Sequence, residues 1–224
     1  TLGLNTTGTA NTAIGYQNLQ ANSTGSNNTA IGGQNLGSNT TGSDNVAIGV
    51  LSLNNSTAST NNVAIGSNTL AGSSSVSYNV AVGNNALNAN IGVANTAIGH
   101  NAGNNLNDNS ANNGSNIFLG YEAGSKYGTG TTTHLYGRNS IFIGRDTRPL
   151  NNSDDNEIVI AGFSSTNKAV GLGSNTTLIG NGATTAAQIM GDLTLPRTTA
   201  STSTTSGALI VSGGAGIAGN LNVG

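Results

Sequence analysis

The sequence predicts an all-β fold: a parallel β-roll, or β-solenoid, built from turns of about 17 residues. The main observation is a repeated pentapeptide, Asn-[Thr/Val]-Ala-[Ile/Val]-Gly, whose copies follow one another at steps of 17, 17, 17, 17 and 16. The copies start at Asn11, Asn28, Asn45, Asn62, Asn79 and Asn95. The spacers consist mostly of Asn, Ser, Thr and Gly, which form helices poorly. Only 6% of the residues are charged, so stacked coils must hold the backbone by hydrogen bonds.

Each repeat contains one short strand and one turn. Residues two apart in a strand share a face, so Val63 and Ile65 point one way and Ala64 points the other. Gly66 lets the chain turn, since glycine takes positive φ freely. A second apolar position follows each of the first five glycines, at Leu19, Leu36, Leu53, Leu70 and Leu87.

The pattern continues in altered form after residue 100. Strands are expected at 116–120 and 140–144, where the step lengthens to 21 and then to 24, and looser copies follow at 157–160 and 177–180. The Ala position becomes Phe118 and then Phe142. We expect the longer turns to enclose more space, which the aromatic rings fill.

A single coil offers little for burial, only about one Ile, one Leu and one Ala. This falls far short of the conformational entropy lost on ordering a whole coil. The small Ala on the second strand face predicts close packing against copies of the same chain. We therefore expect an obligate homo-oligomer.

Composition excludes several partners. The net charge of −2 gives no electrostatic footprint for nucleic acid. No apolar run approaches the roughly 18 residues of a membrane span, so we expect no membrane insertion. The chain has no Cys and hence no disulfide. Residues 1–10 match the second half of a repeat, so we expect this chain to be part of a longer one.

The repeat Asn-[Thr/Val]-Ala-[Ile/Val]-Gly resembles the head repeats of trimeric autotransporter adhesins, which form a left-handed parallel β-roll. The longer period, the Asn-Thr-Thr-Gly spacers and the segment 156–160 more closely resemble the version in bacteriophage tail fibres. The segment 205–223 is similar to parts of phage and marine-virus fibres. The resemblance implies a parallel homotrimeric fibre in a virion tail, in contact with other tail components, or else on a bacterial cell surface.

Sequence motifs for chemistry are weak. Residues 214–219 spell G-x-G-x-x-G, but no helix or acidic residue follows at the spacing a dinucleotide site needs. The two histidines, His100 and His134, lie in no nucleophile–acid arrangement, and His100 occupies a variable position that we expect at the surface. We predict no catalytic residue, no cofactor and no enzyme activity.

Residues 152–156 resemble a calcium loop only faintly. Oxygen-bearing side chains alternate, but the central Gly and the bidentate Glu of such a loop are missing. We therefore expect a solvated turn there and predict no metal site.

Two polar insertions, 104–115 and 124–139, interrupt the repeat and are the best place for binding. Aromatic residues with hydrogen-bonding neighbours suit a host-surface glycan or a receptor protein. The candidate receptor-binding residues are Lys126, Tyr127, His134, Tyr136 and Arg138. In the alternative interpretation, the second insertion clasps a neighbouring chain.

The expected organisation is a β-roll repeat domain over 1–150 and irregular, tapering β turns over 151–195. A Thr/Ser-rich linker follows over 196–206, and a further fibre β element begins at 207–224. The expected function is that of a structural tail-fibre protein, a shaft or head segment that contributes to attachment of the virion to the host cell. The alternatives are a bacterial adhesin head, an ice-binding solenoid and a glycan hydrolase tail spike.

Overall fold

The computed structural model of the chain describes residues 1–72, 76–89, 92–104, 114–126, 128, 137–151, 153–162 and 169–180. These residues contain ten strands that form one parallel sheet in sequence order, one strand from each coil, within the compact unit Thr1–Thr185. The strands are β1 (Thr12–Tyr16), β2 (Thr29–Gly33), β3 (Val46–Val50), β4 (Val63–Ile65), β5 (Val80–Val82), β6 (Thr96–Ile98), β7 (Ile117–Leu119), β8 (Ile141–Ile143), β9 (Ile158–Ile160) and β10 (Thr177–Ile179). The prediction of an all-β solenoid with one sequence repeat in each coil is confirmed.

Equivalent residues of successive repeats lie side by side in the sheet. Thr29 pairs with Val46, Ala30 with Ala47, and Ile31 with Ile48. The one shorter step is absorbed without a change of register, since Ala81 pairs with Ala97. The longer steps also keep the register, because the extra residues lie outside the strands.

The alanine in the middle of β1 to β6 points into the coil, where it packs against the core leucines. Ala30, Ala64 and Leu36 are completely buried within the single chain. The expectation that the alanine face meets another copy is therefore wrong. The Leu on the opposite side of the same coil fills most of the interior, and only a small residue fits across from it.

Buried asparagines tie the coils together along the start of the strands. The Asn Oδ1 accepts a hydrogen bond from the backbone N–H of the equivalent residue one coil later, and in most steps also from its Nδ2. Asn62 Oδ1, for example, accepts from Asn79 N at 3.0 Å and Nδ2 at 3.2 Å. The Asn ladder comprises Asn11, Asn28, Asn45, Asn62, Asn79, Asn95 and Asn116, and it continues through Ser140 to Glu157.

The turns need positive φ at non-glycine residues as well as at the repeat glycines. Gly66 has φ +135°, and an added Cβ would overlap the carbonyl group of Gly83 in the next coil. Non-glycine residues also adopt positive φ in each repeat, as Asn27, Gln34 and Leu36 do at 58°, 56° and 50°. This conformation costs about 1–2 kcal/mol per residue. Regular inter-coil hydrogen bonds and the burial of Leu36 offset it.

The sheet continues beyond residue 150. β9 pairs in register with β8 through Phe142 and Val159, and β10 pairs with β9 through Leu178. The range that we expected to hold irregular turns thus contributes two strands to the same sheet. The expected linker at 196–206 and the element from 207 lie outside the described residues.

Candidate functional site

The outward face of the sheet carries a continuous apolar column, formed by the third residue of each strand. We call this the Ile column. Its members are Ile14, Ile31, Ile48, Ile65, Val82, Ile98, Leu119, Ile143, Ile160 and Ile179. Six of them expose between 36% and 66% of their surface in the single chain, whereas the neighbouring Ala64 and Ala97 expose none. The column thus forms a regular apolar feature that the single chain leaves partly exposed.

A second outward column lies beyond the repeat glycines. Its first members differ in type, as Tyr16, Gly33 and Val50 show, but further along three neighbouring coils bring His100, Tyr121 and Arg145 together. We call these three residues the stacked column.

The side chains of the stacked column contact one another face to face. The ring centroids of His100 and Tyr121 lie 5.2 Å apart at an interplanar angle of 24°, and Arg145 Cζ lies 5.1 Å from the Tyr121 centroid. All three residues are exposed, which confirms the predicted surface position of His100. Sequence reasoning missed the stack because its members lie on three different coils, far apart in the sequence. The repeat alignment was the one signal that could have found it.

Of the five predicted receptor-binding residues, the structure describes two. Lys126 Nζ forms an ion pair with Glu122 Oε2 in the same part of its coil, and both side chains are mostly buried. Arg138 donates from Nε and Nη2 to Asp155 Oδ2 at 3.1 and 3.0 Å. Both cations are therefore engaged by their own chain. Tyr127, His134 and Tyr136 lie outside the described residues.

The six acidic residues that the structure describes all bond within the chain. Asp44 accepts from Asn27, Glu122 pairs with Lys126, Asp155 with Arg138, Asp146 with Arg148, Asp154 accepts from Asn151, and Glu157 accepts from Gly173. The Asp146–Arg148 pair is buried, with Nε to Oδ1 at 2.7 Å. Asp154 is also buried, so the expectation of a solvated turn at 152–156 is wrong at this residue. Its Oδ2 instead accepts from the backbone N–H of Asn151 at 2.6 Å.

Glu157 occupies the place of Asn in the ladder and is completely buried. Its Oε1 accepts from Gly173 N at 2.8 Å, while no described residue donates to Oε2. Burial raises the pKa of this carboxyl above its usual value; the Gly173 N–H opposes that shift, and the nearby charge of Asp154 adds to it. The carboxyl lies directly over Gly171, where an added Cβ would overlap Oε1.

Among the described residues, no group of three or more His, Asp or Glu side chains is placed to hold a metal ion. The same part of the chain contains no helix of the length and apolarity needed to cross a membrane. In comparisons with known proteins, no family model, curated protein or solved structure matches this chain.

Proposed function

We propose that this chain is a structural fibre protein, a shaft or head segment of a virion tail that assembles as a parallel homotrimer and contributes to attachment to the host cell. The observation that carries the proposal is the Ile column. It runs along the sheet from Ile14 to Ile179 and is partly exposed in the single chain. Contiguous apolar surface of this kind is typical of an interface between chains.

A parallel assembly suits the column because every coil presents one of its apolar residues at the same height. Copies that pack column to column in the same direction place each of these residues against its equivalents over all ten strands. In a parallel trimer, a threefold axis relates the chains, and each interface is heterologous and closes into a ring. The choice of three chains in the assembly follows from the resemblance of the repeat to trimeric fibres. The resulting rod would connect to other tail components and face a host glycan or receptor protein.

The bacterial adhesin head remains the first alternative, since it would use the same column. The ice-binding alternative gains no support from the sheet, because the outward first and third positions of the strands carry mostly Val, Ile and Leu rather than an unbroken Thr ladder. The glycan hydrolase alternative needs two accessible carboxylates, and the acidic residues that the structure describes are bonded within the chain.

Light scattering tests the assembly. Wild-type protein should have the mass of three 22.0 kDa chains. Ile65→Asp places a charge in the column and should produce folded monomers, because burial of an unpaired charge is costly. Thr41→Asp, at an exposed position of the loop, is the matched control and should remain trimeric. A folded wild-type monomer would overturn the proposal.

Attachment is tested with the double variant Tyr127→Ala, Tyr136→Ala on particles that carry the full protein. Adsorption to host cells should fall about tenfold, as loss of two aromatic contacts implies, while the trimer mass stays unchanged. Unchanged adsorption would exclude these residues as the receptor contact. Dissociation of the trimer would instead support a loop that clasps the neighbouring chain. Antibody labelling of virions and of host cells distinguishes a virion tail from a bacterial surface.

A further inference from the structure

We propose that neighbouring chains of the trimer meet strand end to strand start at β1, β2 and β3. The fifth residue of each of these strands in one chain packs beside the first residue of the equivalent strand in the next chain. The inference rests on the proposed trimeric fibre and identifies the two surfaces that its heterologous interface joins. The partner is a second copy of this chain.

The Ile column alone offers too little surface for a stable trimer. Complete burial of an Ile side chain contributes about 1.5–3 kcal/mol at about 25 cal/mol per Å², which corresponds to on the order of 100 Å² of apolar surface. Ten partly exposed residues therefore offer at most roughly 500 Å² in each chain, which a threefold arrangement divides between two neighbours. A specific, stable interface buries about 800 Å² on each partner. The interface therefore has to include the surface on both sides of the column.

On one side of the Ile column lie the first residues of the strands. Residues two apart in a strand share a face, so the first residue lies on the outward face with the third. We call these residues the first-position column. All of them are β-branched, uncharged and at least partly exposed in the single chain, and they are Thr12, Thr29, Val46, Val63, Val80, Thr96, Ile117, Ile141, Ile158 and Thr177.

On the other side of the Ile column lie the fifth residues of the three longest strands. β1, β2 and β3 each extend to five residues and end at Tyr16, Gly33 and Val50. Tyr16 and Val50 expose 67% and 50% of their surface in the single chain. The only charged residue among the first fifty is Asp44, which lies outside the strands. Contact between the two sides at these coils thus brings no charged residue of the strands out of water.

Threefold symmetry decides which sides meet. The strands lie one to a coil and stack in parallel, so each strand runs across the long axis of the solenoid. With the Ile columns around a threefold axis parallel to that direction, rotation brings the end of a strand in one chain next to the start of the equivalent strand in the next. Val50 then lies beside Val46 of the next chain, and Tyr16 lies beside Thr12 of the next chain.

Disulfide cross-linking tests this pairing, because the chain has no Cys of its own. The main variant is Val46→Cys with Val50→Cys, and Thr12→Cys with Tyr16→Cys repeats the design in β1. Within one chain, four residues of extended strand span about 13 Å, whereas a disulfide needs Cα atoms within about 7 Å. A disulfide between the two positions therefore joins two different chains.

The single variants Val46→Cys and Val50→Cys are the first controls, since neither position meets its own copy in the proposed trimer. The matched double control is Val46→Cys with Thr41→Cys, which carries the same number of thiols but places one in an exposed loop. Light scattering measures the mass of each assembly before oxidation. Electrophoresis without reductant then separates the covalent products.

We expect both strand pairs to give mainly covalent trimers, in which three disulfides close a ring, and the controls to give mainly single chains. Covalent dimers from either single variant would show that like positions meet, which would overturn the proposal. An assembly with the mass of three chains in which neither strand pair gives covalent trimers would overturn it too, while leaving the proposed function intact. A monomeric wild type would overturn both.

Discussion

The ring of Phe118 occupies the space that a side chain at residue 124 would need. Residue 124 is glycine, and an added Cβ would overlap Cδ1 and Cε1 of the ring. Gly103, one coil earlier, stands in a similar relation, since its added Cβ would lie 2.7 Å from Phe118 Cδ2. In the coils before Gly103 this facing position is leucine. The core thus exchanges an Ala–Leu pair for a Phe–Gly pair at these positions, and the absence of a side chain at Gly124 leaves room for the ring.

This exchange predicts strong coupling between residues 118 and 124. Gly124→Leu should destabilise the protein by about 3 kcal/mol or more through overpacking, and Phe118→Ala by about 3–5 kcal/mol through a cavity. The double variant recreates the pair found at Ala81 and Leu87, so it should be more stable than the sum of the two changes implies by about 2 kcal/mol. Urea unfolding at one fixed chain concentration measures all three variants.

Gly162→Leu serves as the control for the added side chain. An added Cβ at this exposed glycine meets no atom within 4 Å, so the substitution should change the unfolding free energy by less than about 0.5 kcal/mol. Additive effects at residues 118 and 124 would show that the two positions do not share one space.

The Asn ladder makes a second prediction. Asn62 Nδ2 donates to Asn45 Oδ1 at 3.0 Å and to Val76 O at 2.9 Å, in a buried setting. Asn62→Asp keeps the size of the side chain but places a carboxylate oxygen against these two acceptor oxygens. It should therefore lower the free energy of unfolding by about 3 kcal/mol. Asn55→Asp, at an exposed position, should stay within about 0.5 kcal/mol of wild type. Equal urea midpoints for the two variants would show that the ladder contributes nothing to stability.

The period of the sequence was sufficient to predict the strands, their parallel order and their register. It could not say which strand face is interior, because alternation of Val, Ala and Ile is the same for either choice. The leucine later in the same coil decides it: once Leu36 fills the interior, only Ala30 fits opposite. The positive φ of leucine was also beyond prediction, since intrinsic preference disfavours it.

A shorter Asn ladder shows how one substitution stops a pattern. Asn39 Nδ2 donates to Asn22 Oδ1 at 2.8 Å, but in the next coil the residue is Ser56. Among the described residues, neither Asn39 Oδ1 nor Ser56 Oγ has a hydrogen-bond partner. The reason lies three residues on. Gly42 leaves room for the Asn39 amide, whereas the Cβ of Ser59 would meet an Asn at residue 56. Such coupling across a turn is invisible in a list of repeats.

The buried carboxyl of Glu157 predicts how stability depends on pH. Because burial raises its pKa in the fold, the folded protein holds this proton more tightly than the unfolded chain does. The contribution of Glu157 to stability is therefore greatest below the usual Glu pKa and is lost as the pH rises through the raised value. Glu157→Gln removes the charge and supplies an amide, as the ladder asparagines do, and should add about 1 kcal/mol to the free energy of unfolding at neutral pH.

Thermal unfolding of wild type and Glu157→Gln between pH 4 and pH 8 measures this effect, with Gln20→Ala as an exposed control that should follow wild type. The difference in melting temperature between Glu157→Gln and wild type should widen toward neutral pH and close in acid. In acid, the protonated glutamate and the substituted amide are both uncharged. A constant difference would mean that the substitution acts through packing. If the melting temperature of wild type instead rises relative to that of Glu157→Gln as the pH rises, the fold prefers the ionised carboxylate. The hydrogen bond from the Gly173 N–H would then outweigh the effect of burial.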